Sequence, residues 1–140
     1  MDTNPKSILI VDDDESTRIM FSAMLEIIGF NPITASRGEE ALEILQEIRV
    51  DGIILDYMMP GMNGIEVFKK LKADYWTASI PVVMVTARSD NAAKQEAFDA
   101  GIEFFKNKPI GVDQLQQILQ FALYDYAETA KIFERERIMS

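Results

Sequence analysis

Short apolar runs alternate with longer amphipathic stretches along most of the chain. Each short run is rich in β-branched and other apolar residues, which is typical of a buried strand. Each longer stretch repeats its apolar residues at helical spacing, which predicts a helix after every strand. The pattern therefore predicts five strands and five helices in alternation, with the strands over 7–11, 31–35, 52–56, 80–86 and 102–106.

Most of the predicted strands are apolar on both sides. Strands of this kind are buried on both faces, as in a parallel sheet that is covered by helices. Right-handed crossovers leave few arrangements for such a sheet. We therefore expect the α/β class, with a doubly wound five-stranded parallel sheet in the flavodoxin-like order 2-1-3-4-5 and five helices.

The first helical stretch, ESTRIMFSAMLEIIGF, contains enough apolar residues to define a buried face. Ser16 or an aspartate before it can cap this helix, and Gly29 can end it. In the second stretch, GEEALEILQEI, we expect Ala41, Leu42, Leu45 and Ile48 to point inward. For the first stretch, the expected inward residues are Ile19, Met20, Ala23, Met24, Ile27 and Ile28.

The end of the chain adds no strand. We divide the sequence into a domain over 1–123 and a C-terminal helical extension or linker over 124–140. Apolar residues at a/d spacing continue the last helix into this extension. The stripe can pack on its own domain or fray, it can form a homodimer, or it can lead to an output domain. Its members are Leu119, Leu123, Tyr126, Ala130 and Phe133.

Composition narrows the possible chemistry. The 140 residues include no histidine and no cysteine, which excludes imidazole catalysis, thiol chemistry and zinc sites built on these ligands. The net charge of −9 disfavours nucleic acid and anionic membranes as partners. No apolar run reaches the roughly 20 residues of a membrane span, and the N-terminus lacks a signal-peptide pattern. We expect a cytoplasmic protein.

Polar residues follow four of the five predicted strands. The carboxyl ends of parallel strands share one edge of the sheet, where binding sites of open α/β sheets lie. Three acids follow the first strand, one follows the third, a hydroxyl ends the fourth and an ammonium group follows the fifth. These residues are Asp12, Asp13, Asp14, Asp56, Thr86 and Lys108.

This set of groups suits a metal and a phosphoryl group. Clustered carboxylates repel one another and favour a hard divalent cation such as Mg²⁺, Mn²⁺ or Ca²⁺. A lysine and a hydroxyl beside such a cation favour a phosphoryl ligand, whose oxygens all three can share. A carboxylate at this position can itself be the nucleophile and form an acyl phosphate.

Four motifs occur in order and at suitable spacing: ILIVDDD, IILDYMMPGMNG, PVVMVTA and KNKP. On these motifs the chain resembles, over about residues 7–123, the receiver domain of two-component response regulators. The resemblance implies that Asp56 accepts a phosphoryl group from a sensor histidine kinase or a histidine phosphotransfer protein. It also implies that Asp12, Asp13, Asp56 and the backbone carbonyl of Met58 hold Mg²⁺ or Mn²⁺.

The resemblance further implies how the phosphoryl group is read. Thr86 and Lys108 would contact it, and the Lys108–Pro109 peptide bond would be cis. The ring of Phe105 would turn inward as Thr86 moves, and this would change the face of the fourth helix, fifth strand and fifth helix. The expected product is a phosphoprotein that signals through a downstream protein or an output domain. It would phosphorylate and dephosphorylate itself without being an enzyme for an external substrate.

Two other functions fit part of the pattern. Phosphatases of the haloacid-dehalogenase type use two aspartates after a first strand, as Asp12 and Asp14 could be. That family also needs a Gly-Thr pair next, which ESTRIM lacks, and an acidic pair after its lysine, which is missing after Lys108. The second alternative is a receiver-like adapter that is never phosphorylated, which the complete set of acids disfavours.

Two residues near the expected acceptor suggest a long-lived phosphorylated state. Met58 and Arg88 occupy positions that, in the family the chain resembles, tune how water reaches the acyl phosphate. An apolar side chain beside a long cation would shield the phosphoryl group. We therefore hypothesise slow autodephosphorylation.

Overall fold

The computed structural model describes residues 4–88 and 90–125, and strands and helices alternate through these ranges as predicted. The five strands are β1 Ser7–Val11, β2 Asn31–Ala35, β3 Gly52–Leu55, β4 Val82–Thr86 and β5 Phe104–Asn107. The five helices are α1 Glu15–Ile28, α2 Gly38–Glu47, α3 Gly64–Ala73, α4 Asn91–Ala100 and α5 Val112–Gln120. Within the described ranges, no helix has both the length and the apolar content to cross a membrane.

All neighbouring strands run parallel, in the order β2-β1-β3-β4-β5. This is the predicted flavodoxin-like order, and the α/β class and doubly wound sheet are confirmed. The strand order reverses direction at β1, whose neighbours are β2 and β3. The carboxyl ends of β1, β3, β4 and β5 therefore lie side by side at one edge of the sheet, where the chain places its acids, Thr86 and Lys108.

The sheet separates two apolar cores. On one face, α1 and α5 cover alternate residues of the central strands, such as Ile8, Ile10 and Ile54. On the other face, α2, α3 and α4 cover the residues between them, such as Leu9 and Ile53. Because both faces are buried, nearly every position of β1, β3 and β4 is apolar.

The predicted inward face of α1 is confirmed for Met24 and Ile28 and is wrong for the other four residues. Phe21 and Leu25 are its buried residues, and Met24 and Ile28 are partly buried beside them. Ile19 and Met20 are exposed, as are Ala23 and Ile27. Apolar residues occupy two adjacent stripes of this helix, and the stripe with the phenylalanine and the leucine packs on the sheet. In α2, Ala41 and Leu45 are buried and Leu42 is partly buried as predicted, whereas Ile48 is exposed just after the helix.

Two residues of the predicted C-terminal apolar stripe lie at the end of α5 and in the turn that follows it. A π-helical turn, Phe121–Asp125, extends α5. Leu119 is fully buried in the core under α1 and α5, and Leu123 packs against the same core. These two members of the stripe therefore pack on their own domain. Tyr126, Ala130 and Phe133 lie outside the described residues, so the homodimer and the boundary at residue 123 stay predictions.

Candidate functional site

Three aspartates meet where β1 and β3 end. Asp12 and Asp13 follow β1, and Asp56 follows β3. One carboxylate oxygen from each lies within 4.8 Å of the other two. Asp12 and Asp56 are buried, with 2% and 7% of their surfaces exposed, whereas Asp13 is exposed. Two carboxylates of the cluster are therefore buried in the protein, and the third is exposed to solvent.

Lys108 provides a positive charge to this cluster. Its Nζ donates to Oδ2 of Asp12 at 2.7 Å and lies 3.7 Å from Oδ2 of Asp56. Its backbone N–H donates to the carbonyl of Thr86 at 2.8 Å, which fixes the lysine against the end of β4. The Lys108–Pro109 peptide bond is cis, which confirms that prediction. The ammonium group is therefore closer to Asp12 than to Asp56.

The environment of Asp56 favours its neutral form. Burial, followed by the negative charge of Asp12, raises the pKa of Asp56 to about 6. The charge of Lys108, a hydrogen bond from the Thr86 side chain and one from the backbone of Met58 act in the opposite direction. One ammonium group therefore does not balance the negative charge of two buried carboxylates. A second cation at this site would be stabilised by the excess negative charge.

The remaining predicted site residues are Thr86, Met58 and Phe105, and the first two contact Asp56. Thr86 is buried at the end of β4, and its Oγ1 accepts from the backbone N–H of Arg88 at 3.2 Å. Met58 is 58% exposed, and its backbone N–H donates to Asp56. Phe105 is half-buried and packs against the core under α2, α3 and α4. The structure thus brings the acids, Thr86, Lys108 and Met58 to one place and puts Phe105 in the neighbouring strand β5.

Asp14 belongs to α1 and not to the acidic cluster. Its Oδ2 accepts from the Thr17 backbone N–H at 2.9 Å and from the hydroxyl groups of Thr17 and Ser16. These hydrogen bonds lower the pKa of Asp14 to about 2. Asp14 is thus the N-cap of the helix, one of the two caps that the sequence allowed.

A second polar group next to Asp56 was not apparent from the sequence. The hydroxyl of Tyr57 donates to the carboxylate of Glu96 on α4. The guanidinium of Arg88 lies over the Tyr57 ring, 5.3 Å from its centroid, and its Nε donates to Asp90 at 2.8 Å. The contacts of Tyr57 with Glu96 and with Arg88 join segments that are far apart in sequence, so no local pattern could have indicated them.

Close packing brings the start of α3 up to the end of β3. A Cβ atom on Gly64 would lie 2.2 Å from the carbonyl oxygen of Asp56, so only glycine fits at this first position of the helix. The backbone N–H of Gly64 donates to the carbonyl of Tyr57 at 2.9 Å. Asn63 caps the helix in a reciprocal pair with Glu66. The MNG part of the motif IILDYMMPGMNG thus forms the start of α3.

The acidic cluster fits a hard divalent cation. Its side-chain ligand atoms are carboxylate oxygens, and burial together with the negative charge of Asp12 raises the pKa of Asp56. Mg²⁺ is commonly bound by one or two carboxylates together with waters and phosphate oxygens. The exposed side of the cluster, next to Asp13, leaves space for such ligands.

Comparison with known proteins identifies the family. The family of the response regulator receiver domain matches residues 8–120, and the chain belongs to this family. The polar-differentiation response regulator DivK of Brucella anthropi is 35% identical over 121 residues, which cover 86% of this chain and 98% of DivK. This membership favours the receiver function over the two alternatives that the sequence left open.

Two further relatives differ in how much of them the chain covers. The DNA-binding response regulator MtrA of Mycolicibacterium smegmatis is 37% identical over 115 residues, which cover 82% of this chain and 49% of MtrA. The chain thus spans about half the length of the first curated relatives it matches. The chemotaxis protein CheY4 of Vibrio cholerae has a similar structure, with a TM-score of 0.80 and 34% identity, over 85% of this chain and 99% of CheY4.

Proposed function

We propose that this receiver domain accepts a phosphoryl group on Asp56 and uses it to switch its protein-binding surface. The observation that carries this proposal is the position of Asp56. Its buried carboxylate lies within 4.8 Å of the oxygens of Asp12 and Asp13 and 3.7 Å from the Lys108 ammonium. No other acid among the described residues belongs to such a cluster.

Asp12, Asp13 and Asp56, with the backbone carbonyl of Met58, would hold Mg²⁺ or Mn²⁺. The cation, when bound, supplies positive charge to the phosphoryl oxygens. It would also lower the pKa of Asp56, because a cation next to a carboxylate favours the charged form. The ionised carboxylate is the form that can act as a nucleophile.

The transfer itself needs one nucleophile and several charges. An oxygen of Asp56 forms a bond to phosphorus, and the phosphorus–nitrogen bond of the partner's phosphohistidine breaks, with its electron pair returning to the imidazole. Lys108 lies at 2.7 Å from Asp12 and can turn to a phosphoryl oxygen on Asp56. The hydroxyl of Thr86 lies at the end of the neighbouring strand and would donate to another oxygen.

The switch would begin at Thr86. Moving its hydroxyl toward the phosphoryl group would break the contact that it makes with the backbone N–H of Arg88. Phe105, in the adjacent strand, would then turn inward and alter the face of α4, β5 and α5. Such a change shifts an equilibrium between two states of one fold. The output would go to a downstream protein or to an output domain outside this chain.

The phosphoryl donor would be a sensor histidine kinase or a histidine phosphotransfer protein. Because such donors obtain the phosphoryl group from ATP, we assign the reaction to the cytoplasm. The domain would also phosphorylate itself from a small phosphodonor and later lose the group to water. It would turn over no separate substrate.

Intact mass spectrometry tests this proposal. The protein is incubated with acetyl phosphate and Mg²⁺, and we expect a mass increase of one phosphoryl group. Excess EDTA or the variant Asp56→Asn should abolish the increase, whereas Asp14→Asn should retain it. An unmodified wild-type protein, or full modification of Asp56→Asn, would contradict the proposal. An unmodified wild type would support the adapter alternative.

A further inference from the structure

Every polar atom of Asp12 takes part in a hydrogen bond. Its backbone N–H donates to the carbonyl of Ala35 at 3.2 Å. Its Oδ1 accepts from the backbone N–H of Asp14 at 3.0 Å, and its Oδ2 accepts from Lys108. Its carbonyl oxygen accepts from a terminal guanidinium nitrogen of Arg18 at 2.8 Å. The first aspartate of the cluster therefore cannot rotate without breaking several hydrogen bonds.

Asp13 differs from Asp12 in this respect. Its side chain is exposed, and no donor in the described ranges 4–88 and 90–125 is hydrogen-bonded to its carboxylate. Only the backbone sets its position. The peptide group between Asp12 and Asp13 includes the carbonyl that Arg18 holds. Arg18 therefore fixes the peptide plane from which the Asp13 side chain projects.

Arg18 is suited to this task by its chemistry and its place in α1. Its backbone N–H donates to the carbonyl of Asp14 at 3.1 Å, which is an early hydrogen bond of the helix. Its planar guanidinium keeps its charge and carries several donors in a rigid arrangement. The side chain is partly buried, so it lies against the protein and does not extend into solvent. Backbone and side chain together tie the start of α1 to the end of β1.

We infer that Arg18 is a positioning residue for the cation site, acting through the carbonyl of Asp12 on the carboxylate of Asp13. The inference rests on the proposed function, because the cation is the one that Asp12, Asp13 and Asp56 would hold. Arg18 does not touch the cation. Its role is to keep the exposed carboxylate directed at the two buried ones before the cation arrives.

Charge and position predict opposite effects for the loss of Arg18. A guanidinium beside a cation site repels the cation, so electrostatics alone predicts tighter Mg²⁺ binding when the charge is removed. Loss of positioning predicts weaker binding, because Asp13 then has to be ordered when the cation binds. Residues that orient metal ligands typically contribute about tenfold or more to metal affinity, which exceeds the effect of one screened surface charge. The sign of the change thus distinguishes the two explanations.

The experiment measures Mg²⁺ affinity by following backbone amide resonances of the full chain during a MgCl₂ titration. We expect the Kd of Arg18→Gln to increase by about tenfold. The matched control is Arg37→Gln, which removes the same charge from an exposed residue just after β2, at the same edge of the sheet. Its Kd should stay equal to that of the wild type or decrease slightly. Circular dichroism verifies that each variant is folded.

The variant Arg18→Lys keeps the experiment decisive if Arg18→Gln does not fold. Lysine retains the charge and can donate to the same carbonyl, but without the rigid fork. We expect a Kd between those of the wild type and Arg18→Gln. In the Mg²⁺-free protein, the amides of Asp13 and Asp14 should exchange with solvent faster in both Arg18 variants. These readouts do not depend on phosphorylation.

The outcomes separate this inference from the proposed function. Wild-type protein that does not bind Mg²⁺ overturns both. Wild-type binding with an Arg18→Gln Kd at or below the wild-type value overturns the role of Arg18 and leaves the proposed function intact. Weaker binding in Arg18→Gln, intermediate binding in Arg18→Lys and unchanged or tighter binding in Arg37→Gln support the role.

Discussion

Asp56 and Asp14 are aspartates at the same edge of the same sheet, and their surroundings shift their pKa values in opposite directions. Burial and the charge of Asp12 raise the pKa of Asp56 to about 6. Hydrogen bonds from Thr17 and Ser16 lower the pKa of Asp14 to about 2. The first carboxylate is therefore destabilised when it is charged, and the second is stabilised. The acidic segment after β1 contributes to both regions, because Asp12 faces Asp56 while Asp14 caps α1.

This difference indicates which carboxylate is free to react. Each hydrogen bond that Asp14 accepts favours its charged form in the folded protein and leaves little need for a further ligand. Asp56 and Asp12 both interact with the ammonium group of Lys108, which lies 3.7 Å from Asp56 and 2.7 Å from Asp12. A cation and a phosphoryl group can therefore satisfy Asp56, whereas at Asp14 they would replace contacts that already exist.

Removing the shared ammonium group should have the largest effect. Lys108→Met leaves Asp12 and Asp56 buried without a counter-charge, and we expect a loss of about 3 kcal/mol in the free energy of unfolding at pH 7 without metal. Urea denaturation in EDTA measures it. Lys106→Met, an exposed lysine two residues earlier, is the control and should change little. Equal losses in the two variants would show that Lys108 has no special role.

Neutralising Asp56 should stabilise the metal-free protein. The pKa of the folded form is raised from 3.8 to about 6, so the folded protein binds this proton more tightly than the unfolded chain does. The stability that protonation provides is therefore lost as the pH rises from about 4 through 6. We expect Asp56→Asn to be more stable than the wild type by about 2 kcal/mol at pH 8 and by little at pH 4.

Urea midpoints at both pH values, in EDTA, measure this gap. Asp99→Asn, which changes an exposed carboxylate on α4, is the control and should show no such gap. If Asp56→Asn is less stable than the wild type at pH 8, burial and the charge of Asp12 do not destabilise the ionised form of Asp56 as the raised pKa implies.

Replacing Met58 with a polar residue should shorten the lifetime of the phosphorylated state. Met58 is exposed and its backbone N–H donates to Asp56, and the guanidinium of Arg88 lies over the Tyr57 ring. We expect Met58→Asn to speed autodephosphorylation several-fold, because a polar side chain there can orient water. The loss of phosphoryl mass after removal of the phosphodonor gives the rate. Rapid loss in the wild type, unchanged in Met58→Asn and Arg88→Glu, would contradict the shielding hypothesis.

Removing the helix cap should have the smallest effect. Asp14→Ala removes the acceptor for Thr17 and Ser16 and should lower the Tm at pH 7, but by less than Lys108→Met does. Because the pKa of Asp14 is lowered, its contribution is present above about pH 4 and is lost as the pH falls through 2. Thermal melts across this range measure it. A large decrease in Mg²⁺ affinity in Asp14→Ala would mean that the two regions are not separate.

The fold could be predicted from the sequence because its sheet is buried on both faces. Apolar runs such as ILIV and GIIL that alternate with helical stretches are typical of buried parallel strands, and their order along the chain leaves one usual topology. The inward face of α1 could not be predicted in the same way. Apolar residues lie on two stripes of that helix, and only the packing of Phe21 and Leu25 against the sheet decides between them.

The strand pattern predicted only those site residues that lie at or just after the end of a strand. Asp12, Asp56 and Lys108 follow buried strands, so the topology brings them together. The contacts of Arg18 with a backbone carbonyl and of Tyr57 with Glu96 depend on side-chain directions that no spacing rule specifies. The sequence indicated that an aspartate could cap the first helix, but the hydrogen bonds of Asp14 were needed to separate it from the cluster.

The central claim is that the phosphoryl group is carried by Asp56 and by no neighbouring acid. Protein phosphorylated from acetyl phosphate and Mg²⁺ is treated with borohydride, which reduces an aspartyl phosphate to homoserine, and the modified residue is located by peptide mass spectrometry. The account predicts homoserine at position 56, with Asp12, Asp13 and Asp14 unchanged. Homoserine at one of these three positions, with Asp56 intact, would contradict it.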